Sequence, residues 1–209
     1  MSKQGITIGY DGKRAVANMT GLGNYSRVVV GTMSAIYPDN RYILMTPRLR
    51  ENPRLEPLLM RGNIDVHTPS GNISRRIPAL WRSAGMVADM GSLGLDIYHG
   101  LSNELPLTSA MAPCPTVVTI HDLIWRRSPR DYSAIDRRLY EQKYRRSARL
   151  ATRIIAISEC TRRDLVSDWG IDPAKIDVIY QGCDPIFTRP VTYDDRERVR
   201  RAYLSLIHI

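Results

Sequence analysis

Short apolar runs alternate with helix-period segments along almost the whole chain, and this rhythm restricts the fold more than any other feature. ITIGYD (6–11), RYILMTP (41–47), NIDVHTP (63–69), DIYHGL (96–101), TVVTIHDL (116–123), RIIAIS (153–158) and KIDVIYQG (175–182) read as strands, rich in β-branched residues and closed by turn residues. Between them, NYSRVVVGTMSAIY (24–37) sets Val28, Val29, Thr32 and Ile36 at helix spacing, and a short helical piece separates the second and third strands. RRIPALWRSAGMVADMGSL (75–93) reads as a helix begun late by Pro78. SAIDRRLYEQKYRRSARLAT (133–152) reads as a long helix with Ile135, Leu139, Tyr140, Ala148 and Ala151 inward and a row of arginines outward. ECTRRDLVSDWG reads as a helix ended by Gly170. Strands alternating with helices make βαβ units, so the expected fold is α/β: a Rossmann-like, doubly wound, mainly parallel sheet of about seven strands.

The chain's 209 residues suit one large domain, or one domain plus the beginning of another. No stretch reaches the roughly 18 consecutive apolar residues of a membrane span, and no secretory leader is visible, so a cytoplasmic protein is expected. Cys114, Cys160 and Cys183 are odd in number and far apart, and read as reduced cysteines. The net charge of +9 suits an anionic partner. The chain has no helix-turn-helix or zinc-finger pattern and no basic run interleaved with aromatics, so nucleic acid is not the expected one.

In an open parallel sheet, ligands sit at the C-terminal ends of the strands. There the first strand ends at Asp11 and leads to Arg14, the fourth carries His99 followed by LSNE, and the fifth carries His121 and Asp122. The sixth ends in Ser158. TGLGNYS (20–26) adds Gly21, Gly23 and Asn24 at the mouth of the first long helix. A dinucleotide fingerprint needs G-x-G-x-x-G or a final Ala directly after the first strand, and an acid about 20 residues on. Here the third position is Ser26, nine residues separate Asp11 from Gly21, and the second strand ends in LMTP without an acid. A P-loop is excluded because no G-K-[ST] follows. Two readings stay open for the glycines: an anion-facing turn, or a tight approach that lets the helix pack closely.

The ordered series IGYDGKRA…TGLGNYSR, DIYHGLSNELPL, TVVTIHDLIW, RIIAISECTRRDL and IDVIYQGCDPIF closely resembles the N-terminal half of family 4 glycosyltransferases of GT-B architecture, over residues 5 to 203. The resemblance implies two Rossmann-like domains facing across a cleft, with acceptor on the first and most of the nucleotide-sugar on the second. It implies transfer of a sugar to a glycan, lipid-linked or small-molecule acceptor with retention of configuration. No metal and no cofactor are expected, and no D-x-D pair is present. By position, Gly21, Gly23 and Asn24 face the donor diphosphate and acceptor, with Arg14 a phosphate or acceptor contact. His121 meets the donor sugar beside developing positive charge, and Asp122 orients it or its loop. Ser158, His99 and Asn103 are placed as acceptor or donor-sugar contacts. Against these stand plainer roles: His99 as a satisfied strand-end residue, and Ser158 as a helix N-cap. The arginines of 133–153 read as a solvated face, with a peripheral membrane contact as the minority role.

The division expected is 1–183 for the acceptor-side domain, 184–203 for a linker and the start of a second domain, and 204–209 (LSLIHI) as a non-native tail on a truncated gene fragment. Such a fragment is expected to be inactive alone, its missing C-terminal domain carrying the donor site. Two alternatives stay open: an acceptor-binding module that partners a separate donor-binding chain, and another GT-B-like enzyme of sugar phosphates.

Overall fold

The computed structural model describes residues 5–71, 76–183 and 189–203. Seven strands form a single all-parallel sheet: β1 (Thr7–Asp11), β2 (Arg41–Met45), β3 (Ile64–His67), β4 (Ile97–Gly100), β5 (Thr116–Ile120), β6 (Arg153–Ala156) and β7 (Ile176–Val178), in the order β3-β2-β1-β4-β5-β6-β7. The doubly wound parallel fold read from the sequence is therefore present. Strands covered on both faces bury nearly every side chain, which is why TIGYD, RYILM and TVVTI are close to continuous apolar runs. The strand order reverses between β1 and β4, which opens a crevice at the carboxyl edge of the sheet.

The connecting helices are α1 (Lys13–Ala17), α2 (Gly21–Ile36), α3 (Glu56–Leu59), α4 (78–92), α5 (Ile124–Arg127), α6 (Ala134–Leu150) and α7 (Glu159–Trp169). Pro78 sits in the first turn of α4, where its missing N–H costs nothing, and Trp81–Gly85 forms one wide π-type turn inside it. Gly170 ends α7 in the left-handed conformation (φ 64°). One core, around Ile43, Trp81, Met86, Tyr98, Ile120 and Ile154, lies apart from a second around Ile8, Tyr10, Val30, Tyr42, Leu44 and Leu58.

Two helix faces differ from the apolar pattern. In α2 the buried positions are Gly23, Ser26, Arg27, Val30, Gly31 and Ser34, while Thr32 and Ile36 are exposed. The buried polar groups are satisfied: Arg27 donates to the Ala15 and Asn18 carbonyls, and Ser34 to Asn63 Oδ1. Small residues and paired polar groups let α2 sit close, so its most apolar stripe is not its packed one. In α6, Ala148 is buried as expected, as is Ala151 just after the helix, but Ile135 and Leu139 are exposed and Tyr144 and Ser147 take their place. A 17-residue helix is about 25 Å long, whereas the five-residue β5 spans about 17 Å, so the first turns of α6 outrun the strand.

A last helix, α8 (Tyr193–Ala202), buries no residue. Position 184, where the linker was expected to begin, and the 204–209 tail lie outside the described residues. Among the described residues no helix is long and apolar enough to cross a membrane.

Candidate active site

His121 follows the last residue of β5 and is held by five residues. Its Nε2–H donates to the Leu101 carbonyl at 2.9 Å, and its Nδ1 accepts from the Gln181 side-chain amide at 3.0 Å. The carbonyl partner fixes the proton on Nε2, so the imidazole is the neutral tautomer with both nitrogens engaged. The Tyr25 ring meets the His121 ring edge-on, with centroids 4.8 Å apart. The backbone N–H of His121 donates to Asn103 Oδ1 at 2.7 Å, and its carbonyl accepts from Thr161 Oγ1 at 2.9 Å. Burial lowers the pKa of His121, against the pull of the Leu101 carbonyl and the Asp122 charge. The ring is therefore uncharged at neutral pH.

Asn103 is a positioning group rather than an open contact. It is buried and adopts φ 64°, the one non-glycine in the left-handed region among the described residues, and its own N–H donates to the Thr119 carbonyl. Asp122 is exposed; its Oδ1 accepts from the Ile124 N–H, which fixes the turn after His121 and does not reach the ring. Ser158 N-caps α7, accepting from the Thr161 N–H, and also bonds Thr161 Oγ1, so it braces the group that holds the His121 carbonyl. His99 is not at the rim. It is buried in the sheet with Nε2 on Thr119 Oγ1 at 2.8 Å, and burial drives its pKa down to about 4. Thr119 also meets the Tyr25 hydroxyl, so His99 is tied to the His121 cluster through two residues.

Gly21 and Gly23 occupy the first turn of α2 rather than a loop, and the nine-residue gap before Gly21 holds α1. A Cβ on Gly23 would lie 1.9 Å from the Asn18 carbonyl oxygen, so this glycine is required for close packing. A Cβ on Gly21 would meet nothing within 4 Å. Gly21 and Asn24 face an open groove that Tyr25 and Gln181 also line. Asn24 accepts from Arg27 and Arg54. Arg14, on α1, lines a separate pocket at the end of β2.

Asp11 and the LSNE segment are visible in the sequence at the ligand edge, but their partner Arg82 is not. Asp11, at the end of β1 and almost fully buried, pairs with Arg82 Nη2 of α4 at 2.6 Å, and Arg82 lies 3.8 Å from Glu104. Burial opposes the charge on Arg82, but the Asp11 and Glu104 carboxylates more than offset it and hold its pKa above the ordinary range. Lys143 approaches Glu104 from α6. These groups line a cavity of about 110 Å³ in the crevice between β1 and β4. Ser109, buried on the same wall, has no hydrogen-bond partner for its Oγ among the described residues, and Arg82 Nε has none there either. The 101–104 segment joins the two parts: Leu101 and Asn103 hold His121, and Glu104 faces the crevice. Among the described residues no cluster of His, Cys, Asp and Glu is arranged to hold a metal.

No curated protein sequence matches the chain. Among solved structures it is similar to a glycosyltransferase from Rickettsia africae ESF-5, at 15% identity and a TM-score of 0.58, over 95% of this chain and 49% of that one. It is also similar to a putative UDP-N-acetylglucosamine 2-epimerase from Listeria monocytogenes, at 15% identity and a TM-score of 0.50, over 84% of this chain and 45% of that one. At these identities the likeness is one of fold, and the chain spans about half the length of either structure. The profile of Glycosyltransferase Family 4 matches residues 38–187, which include β4, β5, His121 and the 101–104 segment. With most of its length inside that match, the chain belongs to glycosyltransferase family 4.

Proposed function

We propose that this chain is the acceptor-side half of a retaining glycosyltransferase that takes a sugar from a nucleotide-sugar, the donor half lying beyond the residues present. The observation that carries the reading is the 101–104 segment, which fixes a neutral His121 with one end and lines the Asp11–Arg82–Glu104 crevice with the other. Breaking the bond from the anomeric carbon to a nucleoside diphosphate puts positive charge on the sugar ring. A neutral imidazole there adds no like-charge repulsion, as a protonated one would. The crevice supplies the alternating carboxylates and cations that hold an acceptor's hydroxyls, with Ser109 Oγ as a spare partner. The departing diphosphate needs cations and helix N-termini, which in this reading come largely from the absent half.

The test is donor screening on the protein completed with its second half, with product anomers read by NMR. Transfer with retention is expected, together with a loss of about 100-fold or more in kcat for His121→Ala at little change in donor KM. Wild-type turnover by that variant would overturn the role of His121. Turnover by the 209-residue chain alone would overturn its assignment as a half-site.

A further inference from the structure

At the carboxyl end of β2 the structure gathers four cations around one pocket with no acid in its lining. Lys13 and Arg14 come from α1, and Arg48 and Arg50 from the segment after β2. They line an open pocket of about 390 Å³, in the size range of small-molecule sites, with Thr46, Asn18 and Pro78 among its walls. No carboxylate lines it. Among the described residues none of the four side chains is in an ion pair, although thirteen such contacts occur elsewhere on the chain. Asp11, the nearest acid in sequence to Lys13 and Arg14, is committed to Arg82 and to the Lys13 backbone N–H. The lysine feels the crowding: burial, then Arg82 and Arg14, lower its pKa, against Asp11 and Glu104. Unpaired like charges held around one concavity repel each other, and an anion relieves that repulsion.

The position has its own chemistry. In doubly wound folds the end of the second strand is where an acid grips a ribose diol, and where arginine stands instead it accommodates a phosphate. This chain has TPRLR there, and Glu51, the first acid after it, does not line the pocket. Guanidinium groups bind phosphate oxygens in pairs, and two of them with Arg14 across the pocket suit a group of two or more negative charges.

We propose that the Lys13–Arg14–Arg48–Arg50 pocket is a receptor for a phosphate or diphosphate group, distinct from the cavity between β1 and β4. That the group is carried by the sugar acceptor rests on the sugar-transfer reading; the anion site itself does not.

The test is calorimetric titration of the 209-residue chain with inorganic diphosphate at low ionic strength, without any turnover assay. Saturable binding is expected, weakened roughly tenfold by Arg48→Gln and again by Arg14→Gln, and unchanged in Arg138→Gln, which removes an equal charge from α6. These arginines are not in the buried core, so the variants are expected to melt with the parent. The source of the group is read by co-sedimentation with phosphatidylglycerol or phosphatidylcholine vesicles. Capture by the anionic vesicles that Arg14→Gln and Arg48→Gln abolish supports the site with a lipid headgroup. Diphosphate binding without that capture supports it with a soluble ligand. No diphosphate binding, or equal weakening in Arg138→Gln, overturns the proposal, whatever the outcome of donor screening.

Discussion

Replacing each of the two glycines in the first turn of α2 by alanine sets local propensity against tertiary packing. Both lie inside a helix, where glycine is less favourable than alanine by roughly 1 kcal/mol, so propensity alone has both substitutions stabilise. The structure separates them. At Gly21 the new methyl group meets nothing within 4 Å, and the gain stands, reduced because the first helical position is only partly constrained. At Gly23 it would lie 1.9 Å from the Asn18 carbonyl oxygen and 3.0 Å from that of Arg14, where ordinary contact begins at 3.4 Å. Both obstacles are backbone, and Asn18 is further pinned because its Oδ1 accepts from the N–H groups of Thr20 and Gly23. Relief requires moving α1 against α2, at about 1–3 kcal/mol or more for overpacking of this kind. Allowing for the propensity gain, Gly23→Ala is expected to lie about 1–3 kcal/mol below Gly21→Ala. For a domain of this size that is roughly 2–12 °C in Tm. Urea unfolding followed by circular dichroism, with m unchanged between variants, measures it. Equal stabilities, or a more stable Gly23→Ala, would refute the close approach of α1 and α2 on which the groove geometry depends.

Burial holds the folded-state pKa of His99 at about 4 against 6.5 for the unfolded chain, so between these values the unfolded state binds more protons. Its contribution is complete above pH 6.5 and is lost as pH falls toward 4, about 3 kcal/mol in all, with His121 adding in the same direction. His99→Asn should flatten that part of the stability–pH curve, and an unchanged slope would refute the assignment. Arg82→Met leaves the Asp11 carboxylate buried with the Lys13 N–H as its one remaining hydrogen-bond donor among the described residues. A loss of about 3 kcal/mol is expected, largely restored in the Asp11→Asn/Arg82→Met double variant, and chemical denaturation of the cycle decides it. Asn103→Ala loses the bond to the His121 N–H and keeps a strained φ, whereas Asn103→Gly loses only the bond. Alanine should therefore be the less stable by about 1 kcal/mol in thermal unfolding, and the reverse order would contradict the left-handed backbone there.

The strand-end residues show where legibility stops. His121 was visible because it follows an apolar run at the ligand edge of a parallel sheet, yet what fixes its tautomer is Gln181, 60 residues away, and Leu101, 20 residues away. His99 looks the same in sequence, but its ring turns into the sheet onto Thr119. Arg82 lies 71 residues from Asp11 and inside a helix whose apolar pattern says nothing of a charge pair. The glycines of TGLGNYS read equally well as an anion turn or as packing glycines, and only the position of the Asn18 carbonyl gives Gly23 a packing role.

The sequence by itself determined the strands, their mainly parallel arrangement and the edge where ligands gather. Side chains buried on both faces of a sheet must be apolar, and that leaves a periodic record in the chain. Only the tertiary structure decided which polar residues meet there. Arg27 on the Ala15 carbonyl, Arg82 on Asp11 and Gln181 on His121 are contacts between distant segments, each polar group buried because a partner satisfies it. No local pattern encodes a partner that the chain reaches only after it has folded.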